Sequence, residues 1–167
     1  LRAVPLPEAQ AAKVKAWRAF FLGGPPVATA STAVQTETPR LVETGWLQEN
    51  LGRNDVRIID VRPQPAYNSG HIPGSVRMDP EHFRGAVGGV SSLLLPADII
   101  ARHLGLLGLT PQTTVILVPS DKLHDATLVA IALERVGHSS YAILNGGWER
   151  WAAEKRAVDT RLPAIPA

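Results

Sequence analysis

Val56-Arg57-Ile58-Ile59-Asp60-Val61 is a β-branched run in which two isoleucines stand side by side. Successive strand residues face opposite sides of a sheet, so neighbouring aliphatics require cover on both faces. Val115-Ile116-Leu117-Val118 and Tyr141-Ala142-Ile143-Leu144 have the same character. The three runs are punctuated by Arg62-Pro63, by Pro119 and by Asn145-Gly146-Gly147. Between and after them lie stretches with helical patterning: Pro96–Leu107, Ala126–Val136 and Trp148–Glu154. Buried strands alternating with helices imply βαβ units and a parallel sheet. Right-handed crossovers then place helices on both faces.

Composition agrees with one such domain. The chain has 167 residues, and 45% of them are hydrophobic against 19% charged. A single domain of ordinary size spans about 100–200 residues. Lys and Arg number 17 against 15 Asp and Glu, a net charge of +2. So small an excess gives no footing for nucleic acid or an anionic membrane. No window of about 20 apolar residues encodes a transmembrane segment. Cysteine is absent altogether. This excludes disulfides, Cys-ligated zinc, iron–sulfur clusters and any thiol nucleophile. The five histidines lack HxH or HxxxH spacing, so neither a metal nor another cofactor is expected.

The ends read differently from the middle. Val14, Trp17, Phe20 and Phe21, with Lys13, Lys15 and Arg18 between them, predict an amphipathic helix within residues 1–23. It is expected to pack on the domain or a partner. A membrane-surface helix is the lesser reading. Residues 25–40 have linker composition, and the globular part is expected to begin near Leu41. Leu162–Ala167 is again linker-like. Leu1 stands where a Met would start a nascent chain, which suggests processing or trimming. A periplasmic or otherwise exported location is therefore expected ahead of a cytoplasmic one.

Several segments now fit a known pattern in order. These are Leu41-Val42 with Trp46-Leu47, Ile58-Ile59-Asp60-Val61-Arg62, and Tyr67 with Gly70-His71-Ile72-Pro73-Gly74-Ser75. Leu104 to Gly108, Gly137-His138 and Leu144-Asn145-Gly146-Gly147-Trp148-Glu149-Arg150-Trp151 complete it. Together they resemble a rhodanese (sulfurtransferase) domain. The resemblance implies an α/β fold with a central parallel sheet of about five strands and helices on both faces. It divides the chain into an N-terminal helix and linker (1–40), the domain (41–160) and a tail (161–167).

It also implies a chemistry. In the rhodanese family a cysteine after the central strand takes a sulfane sulfur from thiosulfate, becomes a persulfide and hands the sulfur on. Counting back from Gly137-His138 places Ser120 at that position, Asp125 where an Arg is frequent, and Ala126 at the helix opening. A serine oxygen cannot form a persulfide, and its hydroxyl is too weak an acid to ionise without a base. The loop Ser120, Asp121, Lys122, Leu123, His124, Asp125 therefore reads as a degenerate active site with no catalytic residue. Asp121 and Asp125 add negative charge where an anion would sit, against Lys122 alone. Ser120, Lys122, His124 and Arg62 remain candidate ligand contacts.

Ser120, His124 and Asp125 are also the residue types of a hydrolase triad. Adjacent residues entering a helix point about 100° apart, and no nucleophile-elbow pattern surrounds Ser120. Capping of the helix start by Ser120 or Asp121 is the expected role. Asp60 with Arg62 is expected as a structural ion pair, and His71 as a hydrogen-bonded turn residue. Gly74, Gly146 and Gly147 are read as turn residues. Gly85, Gly88 and Gly89 suggest a loose loop, and Trp148 and Trp151 core contacts of the last helix.

The resemblance further implies a use. Tandem sulfurtransferases often pair a cysteine-free domain with a catalytic one. The expected partner is thus a catalytic rhodanese domain in the same full-length protein. A self-standing module that binds a peptide or protein through this loop is the alternative.

Overall fold

The computed structural model describes residues 40–110, 112–120 and 123–163. The expected N-terminal helix and linker, and the end of the tail, lie outside these residues. Among the described residues there are seven strands: β1 (Leu41–Val42), β2 (Val56–Asp60), β3 (Val76–Arg77), β4 (Arg84–Val87), β5 (Val90–Leu94), β6 (Thr114–Val118) and β7 (Tyr141–Leu144). The helices are α1 (Thr44–Glu49), α2 (Gln64–Ser69), α3 (Ala97–Leu106), α4 (Leu123–Arg135) and α5 (Gly147–Ala153), with a 3-10 turn at Pro80–Phe83. Five strands form a parallel sheet in the order β1-β7-β6-β2-β3.

Adjacent residues of each central strand enter opposite cores. Ile59, Val115, Leu117 and Tyr141 pack with α3 and α4 through Ile100, Leu104, Val129 and Leu133. Ile58, Ile116, Ala142 and Leu144 pack on the other side with Leu47 of α1 and Trp151 of α5. The side-by-side aliphatics of the sequence are thus buried on both faces of one sheet, and helices cover each face.

Two local readings are corrected. Gly88 and Gly89, with φ of 59° and 82°, form the tight turn of a β4–β5 hairpin where a loose loop was expected. A Gly-Gly pair supplies the positive φ that a two-residue hairpin turn needs. The flanking strands are largely exposed, so no apolar run announced them. The central helix opens at Leu123, three residues before Ala126, with Asp125 in its first turn.

Beyond α5 the chain turns back across the molecule. The Trp151 indole donates to the Ala157 carbonyl at 2.8 Å. His71 and Asp159 exchange two backbone hydrogen bonds of 2.9 Å. The His71 imidazole stacks on Tyr67 with ring centroids 4.0 Å apart. Its nitrogens lie 3.0 Å from the Tyr67 carbonyl and 3.1 Å from that of Arg161. The Gly70-His71-Ile72 turn and the segment after α5 therefore hold each other.

Burial of His138, after the end of α4, makes stability depend on pH. Burial pushes its imidazole below the usual histidine range, while the Ser140 and Thr113 carbonyls pull the other way. A lowered folded value means that the unfolded chain binds the proton first. This contribution is complete above the ordinary histidine value of about 6.5 and is lost as pH falls from there through the lowered folded value. Glu154 acts in a lower window. Hydrogen bonds from Thr44, and then from Arg156, hold it down to about 2. Its contribution is present above the ordinary carboxylate range and declines towards pH 2. Urea titrations at pH 7 and pH 5.5 are expected to show lower stability at the acid end. His138→Gln is expected to flatten that difference, and an unchanged slope would contradict the assignment.

Candidate functional site

The strand order reverses between β2 and β6. From β2 the chain moves outward to β3, then returns to the other side of β2 as β6 and continues to β7. In open α/β sheets ligands bind beyond the carboxyl ends of strands at such a switch point. Ser120 follows β6 by two residues and Arg62 follows β2 by two. The Val61 amide donates to the Val118 carbonyl at 3.1 Å and keeps the two strand ends together.

A cavity of about 310 Å³ opens at this point, lined by Arg62, Ala66, Ser69, Gly70, Ser120, Trp148 and Glu149 among others. Arg62 is its structural pivot. Its side chain is 3% exposed and that of its partner Asp60 is 0% exposed. Arg62 Nη2 lies 2.6 Å from Asp60 Oδ2, and Nε is 2.9 Å from Oδ1. The Arg62 backbone amide also donates to Oδ1 at 3.0 Å. Nη2 reaches the Gly70 carbonyl at 2.8 Å, which ties the end of β2 to the turn after α2. The guanidinium lies 4.0 Å over the Trp148 ring. A buried charge of this kind survives only when paired and fully hydrogen-bonded.

The Gly146-Gly147 turn closes the site from the third side. The Trp148 amide donates to the Pro119 carbonyl at 3.0 Å. A Cβ on Gly147 would stand 2.5 Å from that same carbonyl oxygen. Only a glycine allows α5 to approach the end of β6 so closely. Trp148 packs against the core as expected and also has a second role. Trp151 is 0% exposed in the core, whereas Trp148 is half-buried and lines the cavity against Arg62.

The other candidate residues fall as follows. Ser120 lies in the cavity wall with Arg62. Asp121 and Lys122 lie outside the described residues. Leu123 begins α4 and is 55% exposed. His124 Nε2 pairs with Asp125 Oδ1 at 2.8 Å, with the His124 side chain 75% exposed. Neither Leu123, His124 nor Asp125 is among the residues lining the cavity. His71 and Gly74 belong to the turn after α2, away from the cavity wall. Sequence reasoning missed Ala66, Ser69, Gly70 and Glu149 as wall residues; only the position of Trp148 and Glu149 directly after Gly146-Gly147 pointed to the site. Among the described residues, no group of three His, Asp or Glu side chains could hold a metal ion. No helix among them is long and apolar enough to cross a membrane.

A fold with its switch-point loop at the end of a central parallel strand, and a Gly-Gly turn pressed against it, defines a class. Residues 43–154 match the profile of the rhodanese-like domain. The chain belongs to that family. It is 34% identical over 152 residues to a Synechococcus elongatus protein provisionally named a thiosulfate sulfurtransferase, covering 89% of this chain and 47% of that protein. It is 28% identical to a thiosulfate sulfurtransferase of Pseudomonas aeruginosa (79% of this chain, 49% of the relative). It is 30% identical to the sulfur carrier protein TtuD of Thermus thermophilus (75% and 44%). The chain therefore spans about half the length of the curated relatives it matches. The fold also matches the crystal structure of SseA from Escherichia coli, a 3-mercaptopyruvate sulfotransferase. That match has a TM-score of 0.64 and 22% identity, covering 77% of this chain and 54% of SseA. Within this family the chain is a cysteine-free variant.

Proposed function

We propose that this chain is a non-catalytic rhodanese-like domain of a thiosulfate-sulfurtransferase-type protein, which packs against a catalytic domain elsewhere in that protein and shapes its entrance. One observation carries the reading: Ser120 stands at the end of the central strand, in the wall of the switch-point cavity, where the family carries its cysteine. Sulfur transfer needs a thiolate that attacks sulfur and then holds it as a persulfide, and an alcohol does neither. The relatives' names and their roughly double length support the presence of a catalytic partner. The coding sequence on either side of this segment tests that partner. A second rhodanese pattern with a loop cysteine supports the proposal. Its absence would leave a stand-alone module that binds a peptide or protein.

The loop's surroundings are a separate matter from its missing thiol. Position 120 is followed in sequence by Asp121 and Asp125, the latter in the first turn of α4, while the charge of Arg62 is already taken by Asp60. Negative neighbours raise a thiol's pKa and weaken it as a nucleophile. Ser120→Cys treated with thiosulfate is expected to gain no more sulfur, by intact mass, than an exposed control such as Ser91→Cys. Clear persulfide formation at position 120 alone would show that the anion cradle has been kept.

A further inference from the structure

We propose that the switch-point cavity is a receptor for a lysine side chain presented by a partner protein. This rests on the reading of the site as non-catalytic, and it gives the cavity a ligand class. Three observations converge. The first is size. About 310 Å³ lies at the small end of the range of ligand pockets, enough for one long side chain and too little for a nucleotide.

The second is the distribution of polarity. Pro63, Ala66, Gly70 and the Trp148 ring supply apolar wall, while Ser69, Ser120 and Glu149 supply oxygens. A lysine has the complementary form, an aliphatic stem that lies along apolar surface and a cationic head that donates three hydrogen bonds.

The third is charge. The Arg62 cation in the wall is neutralised by the Asp60 carboxylate 2.6 Å away. Glu43 and Glu154, which flank α1 and α5, are also paired: Arg150 meets both, and Arg156 meets Glu154. Glu149 has no such partner among the described residues and lines the cavity. The described wall therefore carries one net negative charge, opposite to what a thiosulfate-binding loop requires. A carboxylate in the wall binds an ammonium through charge-assisted hydrogen bonds.

The probe is an acetylated, amidated Gly-Lys-Gly peptide, read by the indole N–H resonance of Trp148 in the native chain. The resonance is assigned with Trp148→Phe. The expected result is a saturable shift with Kd on the order of millimolar, as befits one side chain. Glu149→Gln, an exposed substitution checked for folding by circular dichroism, is expected to weaken it about tenfold. The matching Gly-Glu-Gly peptide and thiosulfate are expected to leave the indole unmoved. Lysine-peptide binding that Glu149→Gln does not weaken, or a stronger response to thiosulfate or the Glu peptide, would overturn the proposal. So would the absence of any response to the Lys peptide. Persulfide formation on Ser120→Cys bears on the loop's chemistry and leaves this readout untouched, so the two proposals fail separately.

Discussion

Asp60→Ala is expected to lower the stability of the domain by about 3–5 kcal/mol, the range for removing one partner of a buried ion pair. The carboxylate is fully buried and receives Arg62 Nε, Arg62 Nη2 and the Arg62 backbone amide. Without it the guanidinium keeps only the Gly70 carbonyl and the face of Trp148, with its side chain 3% exposed. Domains of this size are stable by about 5–15 kcal/mol, so the loss is about a fifth or more of the total. With a urea m-value of about 1–3 kcal/mol/M, the midpoint should fall by about 2 M. The double substitution Asp60→Leu with Arg62→Met is expected to recover most of the loss, because it removes both charges and fills the space. A single variant within about 0.5 kcal/mol of the parent, the ordinary range for surface changes, would mean that the pair does not organise the end of β2.

Gly147→Ala is the second large effect, and it acts on the same site from the other side. Gly147 has φ of +55°, where an alanine costs about 1–3 kcal/mol. The added Cβ would also lie 2.5 Å from the Pro119 carbonyl oxygen and 3.3 Å from that of Ser120. These are backbone atoms, so no rotamer change relieves the overlap, and a further ~1–3 kcal/mol follows. Either α5 or the end of β6 must move, and the 3.0 Å hydrogen bond from the Trp148 amide to Pro119 breaks with it. Gly74→Ala is the control. Gly74 has φ of +77° but open space where its Cβ would be, so it carries the backbone cost alone. Urea midpoints of the two variants separate the terms. Equal losses would show that the close approach of the Gly-Gly turn is relieved at no cost.

The strands were legible because burial on both faces leaves a mark that survives in one dimension. Tyr141–Leu144 was read with its bounds, and Val56–Asp60 and Thr114–Val118 each differ from their apolar runs by one residue. The two-residue strands β1 and β3 and the exposed hairpin leave no such mark, since each is held by its neighbours rather than by an apolar run. The site was half legible. Ser120 and Arg62 lie at strand ends, where topology puts function. The rest of the cavity wall is assembled from α2 and the start of α5, which meet only because β2 and β7 flank β6. Trp148 and Trp151 show the limit clearly. Their three-residue spacing suggested one shared core, and both meet it, but nothing in the spacing announced that Trp148 would also carry the Arg62 guanidinium on its ring.

The central claim is that this domain carries no sulfur. The most direct measurement exposes the native chain to thiosulfate and then cyanide, following intact mass and thiocyanate together. The account predicts no gain of a sulfur atom and no thiocyanate above the uncatalysed background. A sulfur-bearing protein, or thiocyanate formed in proportion to the chain, would contradict it.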